Sequence, residues 1–97
     1  MNHMSIKNKY YSNGFFTKKY YPNGQLAIFF HTKDGEPIAE LSVNEDTVEL
    51  DSNEIILKDY SENSQIAQEF INSQIFIPTD RFVLIGTHLC PICEVAI

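Results

Sequence analysis

Apolar residues in the first half of the chain fall into short runs, broken at intervals by an Asn-Gly or Asp-Gly pair. Asn13-Gly14, Asn23-Gly24 and Asp34-Gly35 each set a residue tolerant of positive φ beside a glycine, which is what a type I′ hairpin turn requires. The segments between them are aromatic and β-branched, so residues 7–12, 15–21, 25–32 and 37–44 are predicted to form a meander of strands. In the last of these, Ala39, Leu41 and Val43 alternate with Glu40 and Ser42, the pattern of a strand with one wet face; Ile38 breaks it. Leu26-Ala27-Ile28-Phe29-Phe30 is apolar on both faces and belongs at the centre of the sheet or beneath a helix. Lys18-Lys19-Tyr20-Tyr21-Pro22 reads as an edge, because lysines and a nearby proline discourage further pairing.

The pattern changes after a polar loop over residues 45–53. Glu54-Ile55-Ile56-Leu57-Lys58 is a short strand. Asp59 or Ser61 then offers an N-cap with Glu62 in the first turn. Ile66, Ala67, Phe70 and Ile71 form one apolar stripe at helical period, predicting a helix over about residues 62–73. Ile75-Phe76-Ile77 is extended, Pro78-Thr79-Asp80 a turn, and Arg81-Phe82-Val83-Leu84-Ile85 a strand closed by Gly86. Residues 88–97 are mostly extended and apolar. The expected fold class is α+β: an antiparallel meander of hairpins with one short α-helix packed on it. A chain of 97 residues builds one core, so residues 1–97 are expected to be a single domain, with residues 1–5 a flexible N-terminus.

Charge adds an asymmetry. The net charge is −6, yet the first 33 residues carry five lysines and no acid, and all thirteen acids follow, against Lys58 and Arg81 alone. The acids crowd residues 34–59. Asp34, Glu36, Glu40, Glu45, Asp46, Glu49 and Asp51 are therefore the candidate partner-binding set, an acidic face for a basic partner. No apolar run approaches the ~20 residues that cross a bilayer, and the N-terminus lacks the apolar segment of a secretory signal. No membrane partner is expected. With two cysteines and no signal, a disulfide framework is not expected either, and a reducing cytoplasm is the default compartment.

Several local sequences occur in a characteristic order: Tyr21-Pro22-Asn23-Gly24-Gln25-Leu26-Ala27-Ile28, Asp34-Gly35-Glu36-Pro37, Leu41-Ser42-Val43-Asn44, Lys58-Asp59-Tyr60-Ser61-Glu62-Asn63, Pro78-Thr79-Asp80-Arg81 and Cys90-Pro91-Ile92-Cys93. In this order the chain resembles a domain-of-unknown-function family of small bacterial proteins carried on phages and conjugative elements. The resemblance spans roughly residues 20–93, and its most specific piece is the hexapeptide Lys58–Asn63. In the tail the family's usual Pro-Ile-Cys is present, whereas Cys90 departs from it. The resemblance implies no catalysis. It implies a mobile-element setting in a bacterial cytoplasm, where small acidic proteins often act against host defence, type II anti-CRISPR proteins among them. The expected partner is then a basic host protein such as a Cas nuclease.

The chemistry the residues offer is sparse. Cys90-x-x-Cys93 with His88 provides three zinc ligands of the four a structural site needs, and His31 or an acid would have to complete it. A strand, however, puts Cys90 and Cys93 on opposite faces. Two buried inert thiols, with no metal or other cofactor, are the favoured reading; if any metal is held, the residues are His88, Cys90 and Cys93. A redox role is weaker, because such a motif opens a helix and four residues follow Cys93. No catalytic order can be argued from three histidines. Asp51, Glu54 and Asp59 read as solvated loop acids, and no glycine-rich phosphate cradle exists. Lys7, Lys9, Lys18 and Lys19 interleave with Tyr10, Tyr11, Phe15, Phe16, Tyr20 and Tyr21, as in single-strand binding platforms. Strand-forming aromatics and edge-guarding lysines explain that pattern better in a chain of net charge −6, so direct nucleic-acid binding is not expected. The chain is expected to be a binding protein and not an enzyme. The alternatives are a nucleic-acid-binding accessory module using the N-terminal hairpins and a small zinc-binding structural domain.

Overall fold

The computed structural model describes residues 14–97 and the backbone of Ser5–Ile6. The strand predicted over residues 7–12, Asn13 of the first turn pair, and Lys7, Lys9, Tyr10 and Tyr11 of the basic aromatic set lie outside the described residues. The first half is a sequential antiparallel sheet: β1 (Ser5–Ile6), β2 (Gly14–Tyr20), β3 (Leu26–His31) and β4 (Pro37–Glu40), in that order. The second half builds a second antiparallel sheet from β5 (Ser42–Val43), β6 (Glu54–Leu57), β7 (Phe76–Ile85) and β8 (His88–Val95), in the order β5-β6-β8-β7. A 3-10 turn, Ser61–Asn63, leads into the single helix α1, Ser64–Asn72. The fold is α+β, as the periodicities predict.

The predicted strand over residues 37–44 is one chain path shared by the two sheets. Leu41 turns it over: its N–H donates to the Ile28 carbonyl at 2.9 Å and its carbonyl accepts from Lys58 N–H at 2.9 Å. The fixed alternation of side chains fails there. Leu41 joins the main core, whereas Val43, expected on the same face, packs with Ile56 and Ile92 on the other side of the second sheet. The exceptional Ile38 has a local cause, because the β3–β4 register shifts between Phe30 and His31.

The main core lies between the first sheet, the inner face of the second, and α1. Phe16, Phe30, Phe70 and Phe76 meet there with ring centroids 4.8–5.9 Å apart in tilted and edge-on arrangements, the geometry aromatic quadrupoles favour. Ile66, Ala67 and Phe70 of the helical stripe are buried in it. A smaller cluster, Ile56, Cys90 and Ile92, occupies the outer face, where Val43, Val48, Leu50, Tyr60, Val83 and Ile85 partly cover it. Covered on both faces, β6 is buried along its whole length.

Three local expectations change. Asn23-Gly24 and Asp34-Gly35 do not form two-residue type I′ turns. Gly24 N–H bonds to Tyr21 O and Tyr21 N–H to Gln25 O; Gly35 repeats this with Thr32 and Glu36, all at 2.9 Å. Only the glycines take positive φ, +91° and +90°, so each loop has three residues, with the left-handed glycine last. Pro22, whose ring fixes a negative φ, suits the second position of the first turn. Gly14 lies within β2, opposite Ile6. A Cβ there would run into the ring of Phe30 and the carbonyl of His31, so close packing, not a turn, requires the glycine. Pro78-Thr79-Asp80 does not end a strand. It is a bulge within β7, with Asp80 at φ +69°, between the pairs Pro78↔Cys93 and Phe82↔Pro91.

The helix start also differs. Neither Asp59 nor Ser61 caps it with a side chain. The buried Asn63 amide donates instead to the carbonyls of Glu40 at 2.7 Å and Lys58 at 3.1 Å. It ties the helix entry to the ends of β4 and β6.

Candidate functional site

The acidic stretch does not form one continuous face. Asp34 and Glu36 sit exposed at the β3–β4 turn. The β2–β3 turn lies at the other end of β3, six residues away, or about 20 Å of extended chain. Beside that second turn the loop between β5 and β6 folds back. It closes a groove of about 340 Å³ lined by Asn23, Gln25, Asp46, Glu49, Asp51 and their neighbours, three acids and no base. Glu40 lies between the two ends and accepts a hydrogen bond from Tyr21 Oη at 2.6 Å. Burial, and then this carboxylate, push the Tyr21 phenol up to about 12.

The groove is held by one side chain. Gln25 Nε2 donates to the Glu45 carbonyl at 2.8 Å and the Val48 carbonyl at 2.9 Å, and Gln25 Oε1 accepts from Glu45 N–H at 3.1 Å. Glu45 Oε2 in turn accepts from the Thr47 hydroxyl at 2.9 Å. The loop is therefore braced from the adjacent hairpin, and Asp46 and Glu49 project from it, exposed, without an ion pair to another described residue. Nothing in the sequence pattern marks Gln25 for this role, since it reads there only as the start of a strand.

Two of the acids read as solvated are not. Glu54 is buried at the start of β6, accepts from Asp51 N–H at 2.9 Å, and pairs with Arg81 of the β7 bulge. The Arg81 guanidinium holds its carboxyl below the usual carboxylate range, against the opposing effect of burial. Asp59 Oδ1 lies 2.9 Å from His88 Nε2.

The cysteine motif divides as strand alternation requires. Cys93 belongs to the main core and Cys90 to the outer cluster, both free. His88, Cys90 and Cys93 are thus not brought together. Asp59, His88 and Cys90 are: one donor atom from each lies within 4.8 Å of the other two. Burial, reinforced by the Asp59 carboxylate, pushes the Cys90 thiol up to about 11 and the Cys93 thiol up to about 12. His31, the other candidate ligand, stacks on Phe15 with ring centroids 5.1 Å apart.

The lysines of β2 are engaged within the fold. Lys18 Nζ donates to the Ile97 carbonyl at 2.6 Å, and Lys19 Nζ lies 5.7 Å from the centroid of the Phe29 ring. Among the described residues, no helix is long and apolar enough to cross a membrane. The chain matches no family model, no curated protein and no solved structure.

Proposed function

We propose that the chain is a non-enzymatic binding protein of a phage or mobile element that blocks a basic, nucleic-acid-handling host protein, such as a Cas nuclease, through its acidic surface. The observation that carries this reading is the braced groove. Asp46, Glu49 and Asp51 stand around one concavity with no base among its lining residues, fixed by the three hydrogen bonds of Gln25. A preorganised anionic rim loses little conformational entropy on docking, and its field speeds encounter with a cationic surface built for phosphates. The mobile-element setting rests on the family resemblance of the sequence. The non-catalytic part of the reading is supported by the thiol beside His88, which burial keeps protonated and unreactive at neutral pH.

The test is DNA cleavage by a purified type II Cas nuclease with the chain added, at two salt concentrations. Inhibition is expected, weakened by Asp46→Asn with Glu49→Gln and by higher salt, and little changed by Lys18→Ala with Lys19→Ala. Salt-sensitive binding of the chain to a mixed-sequence oligonucleotide, lost in the lysine double variant, would replace this reading with direct nucleic-acid binding.

A further inference from the structure

Outside the lining of the acidic groove, three different metal-donor side chains converge at one edge of the outer cluster. We propose that Asp59, His88 and Cys90 form a binding site for a single divalent transition-metal ion of the zinc class, with a further coordination position open to water or to a ligand. His88 and Cys90 are two residues apart on β8, so their side chains share a face. Asp59 arrives from just beyond β6, the strand paired with β8. Its carboxylate already lies 2.9 Å from His88 Nε2.

The spacing fits such an ion. A tetrahedral shell with Zn–S near 2.3 Å and Zn–N and Zn–O near 2.0–2.2 Å sets its donor atoms about 3.4–3.6 Å apart. The three donors here lie within 4.8 Å of one another, and side-chain rotations of about an ångström would close the difference. Imidazole and thiolate select zinc-class ions over magnesium or calcium. Burial is graded across the site: Cys90 is fully buried, Asp59 partly so, and His88 is 43% exposed in its side chain. One side of the ion would face the interior and the other would stay open, as in three-ligand sites. The Tyr60 ring packs on the His88 ring, with centroids 5.0 Å apart, and limits its rotation.

The same trio has the residue types of a nucleophile, base and orienter, but the Cys90 sulfur is fully buried and its thiol is pushed up to about 11. A thiolate forming beside the Asp59 carboxylate is disfavoured when bare. A divalent cation between them turns both anions into ligands, and the thiol proton leaves to solvent as the metal–sulfur bond forms. Cys93, the ligand that sequence spacing suggests, plays no part, because it faces the aromatic core.

The test uses the whole chain, stripped with chelator and titrated with Co²⁺ and then Zn²⁺. One Co²⁺ per chain is expected, with a thiolate-to-metal charge-transfer band that Zn²⁺ displaces. Cys90→Ser should abolish the band. His88→Ala and Asp59→Asn, on partly exposed positions that leave the core intact, should each weaken binding at least ~100-fold, since loss of a direct ligand exceeds the effect usual for an outer-shell group. Cys93→Ala should leave the band in place. Absence of the band, or titrations unchanged in His88→Ala and Asp59→Asn, or a band lost with Cys93 and kept in Cys90→Ser, would each overturn the site.

Discussion

Cys90 and Cys93 stand three residues apart on β8, both at 0% exposure, yet they belong to different interiors. Cys93 faces the main core, with Phe16, Phe30, Phe70 and Phe76, closed by a helix and two sheets. Cys90 faces a three-residue cluster roofed by partly buried side chains, with Asp59 and His88 at its edge. Equal burial therefore says little about what a residue does; its neighbours decide. The aromatic side is closed and apolar, and its work is stability. The outer side is shallow and borders polar groups, and of the two faces of β8 it is the one on which donor side chains from separate elements meet.

The sharpest way to break this contrast is to compare equivalent losses on the two faces. Phe70→Ala removes a fully buried ring that touches three others. It should cost about 3–5 kcal/mol in urea unfolding, a large share of a small domain's stability. Ile92→Ala on the outer face should cost about 2 kcal/mol, the low end for its type, because the partly buried Val43, Val48 and Leu50 around it can settle into the space. Equal costs would mean that the outer cluster is a core in its own right.

Gln25→Ala tests the roof of the outer side. It removes three hydrogen bonds to the loop that carries Val48 and Leu50. The expected loss is about 1–2 kcal/mol. Amide exchange should quicken at Glu45, while the amides of β2 and β3 beneath the aromatic core keep their protection. Faster exchange throughout would show that the loop and the core open together.

Which parts of this were legible in the sequence follows from range. The β2–β3 and β3–β4 hairpins join neighbouring segments, and Asn23-Gly24 and Asp34-Gly35 mark them, although the turn type depended on where the positive φ falls. The stripe Ile66, Ala67, Phe70 is a periodicity, and periodicity survives folding. The opposite faces of Cys90 and Cys93 follow from a spacing of three on a strand. The second sheet was out of reach: β8 inserts between β6 and β7, a pairing such as Ile55↔Cys93 that no local pattern encodes. For the same reason Asp59 reads as a helix cap when its carboxylate meets His88, 29 residues on, and Glu54 reads as a loop acid when it is buried against Arg81. The acidic stretch was visible as composition, but its division by the length of β3 was not.

A pH titration separates the two thiols. Burial pushes Cys93 up to about 12 and Cys90 up to about 11, with the Asp59 carboxylate acting second on both. In the unfolded chain both ionise near the ordinary value of about 8.5 to 9. The folded values are raised, so this stabilisation is complete below the ordinary thiol pKa and is lost as pH rises towards 11–12. At pH 10 the metal-free chain should have lost roughly 1.5–2 kcal/mol per thiol relative to pH 7, read from the urea midpoint. Tyr21, pushed up to about 12, acts in the same direction but only from about pH 10 upward. Cys90→Ala and Cys93→Ala should each remove about half of that fall, and the comparison uses the pH dependence of each variant so that the cavity left by the substitution cancels. Saturating Zn²⁺ should then remove the Cys90 share and leave the Cys93 share untouched, because a metal-bound sulfur has already given up its proton. A fall that follows Cys93 alone even without metal would place the Cys90 thiol in contact with water. The outer face would then be more open than its packing indicates, and the contrast between the two sides of β8 would be one of solvent access as well as of neighbours.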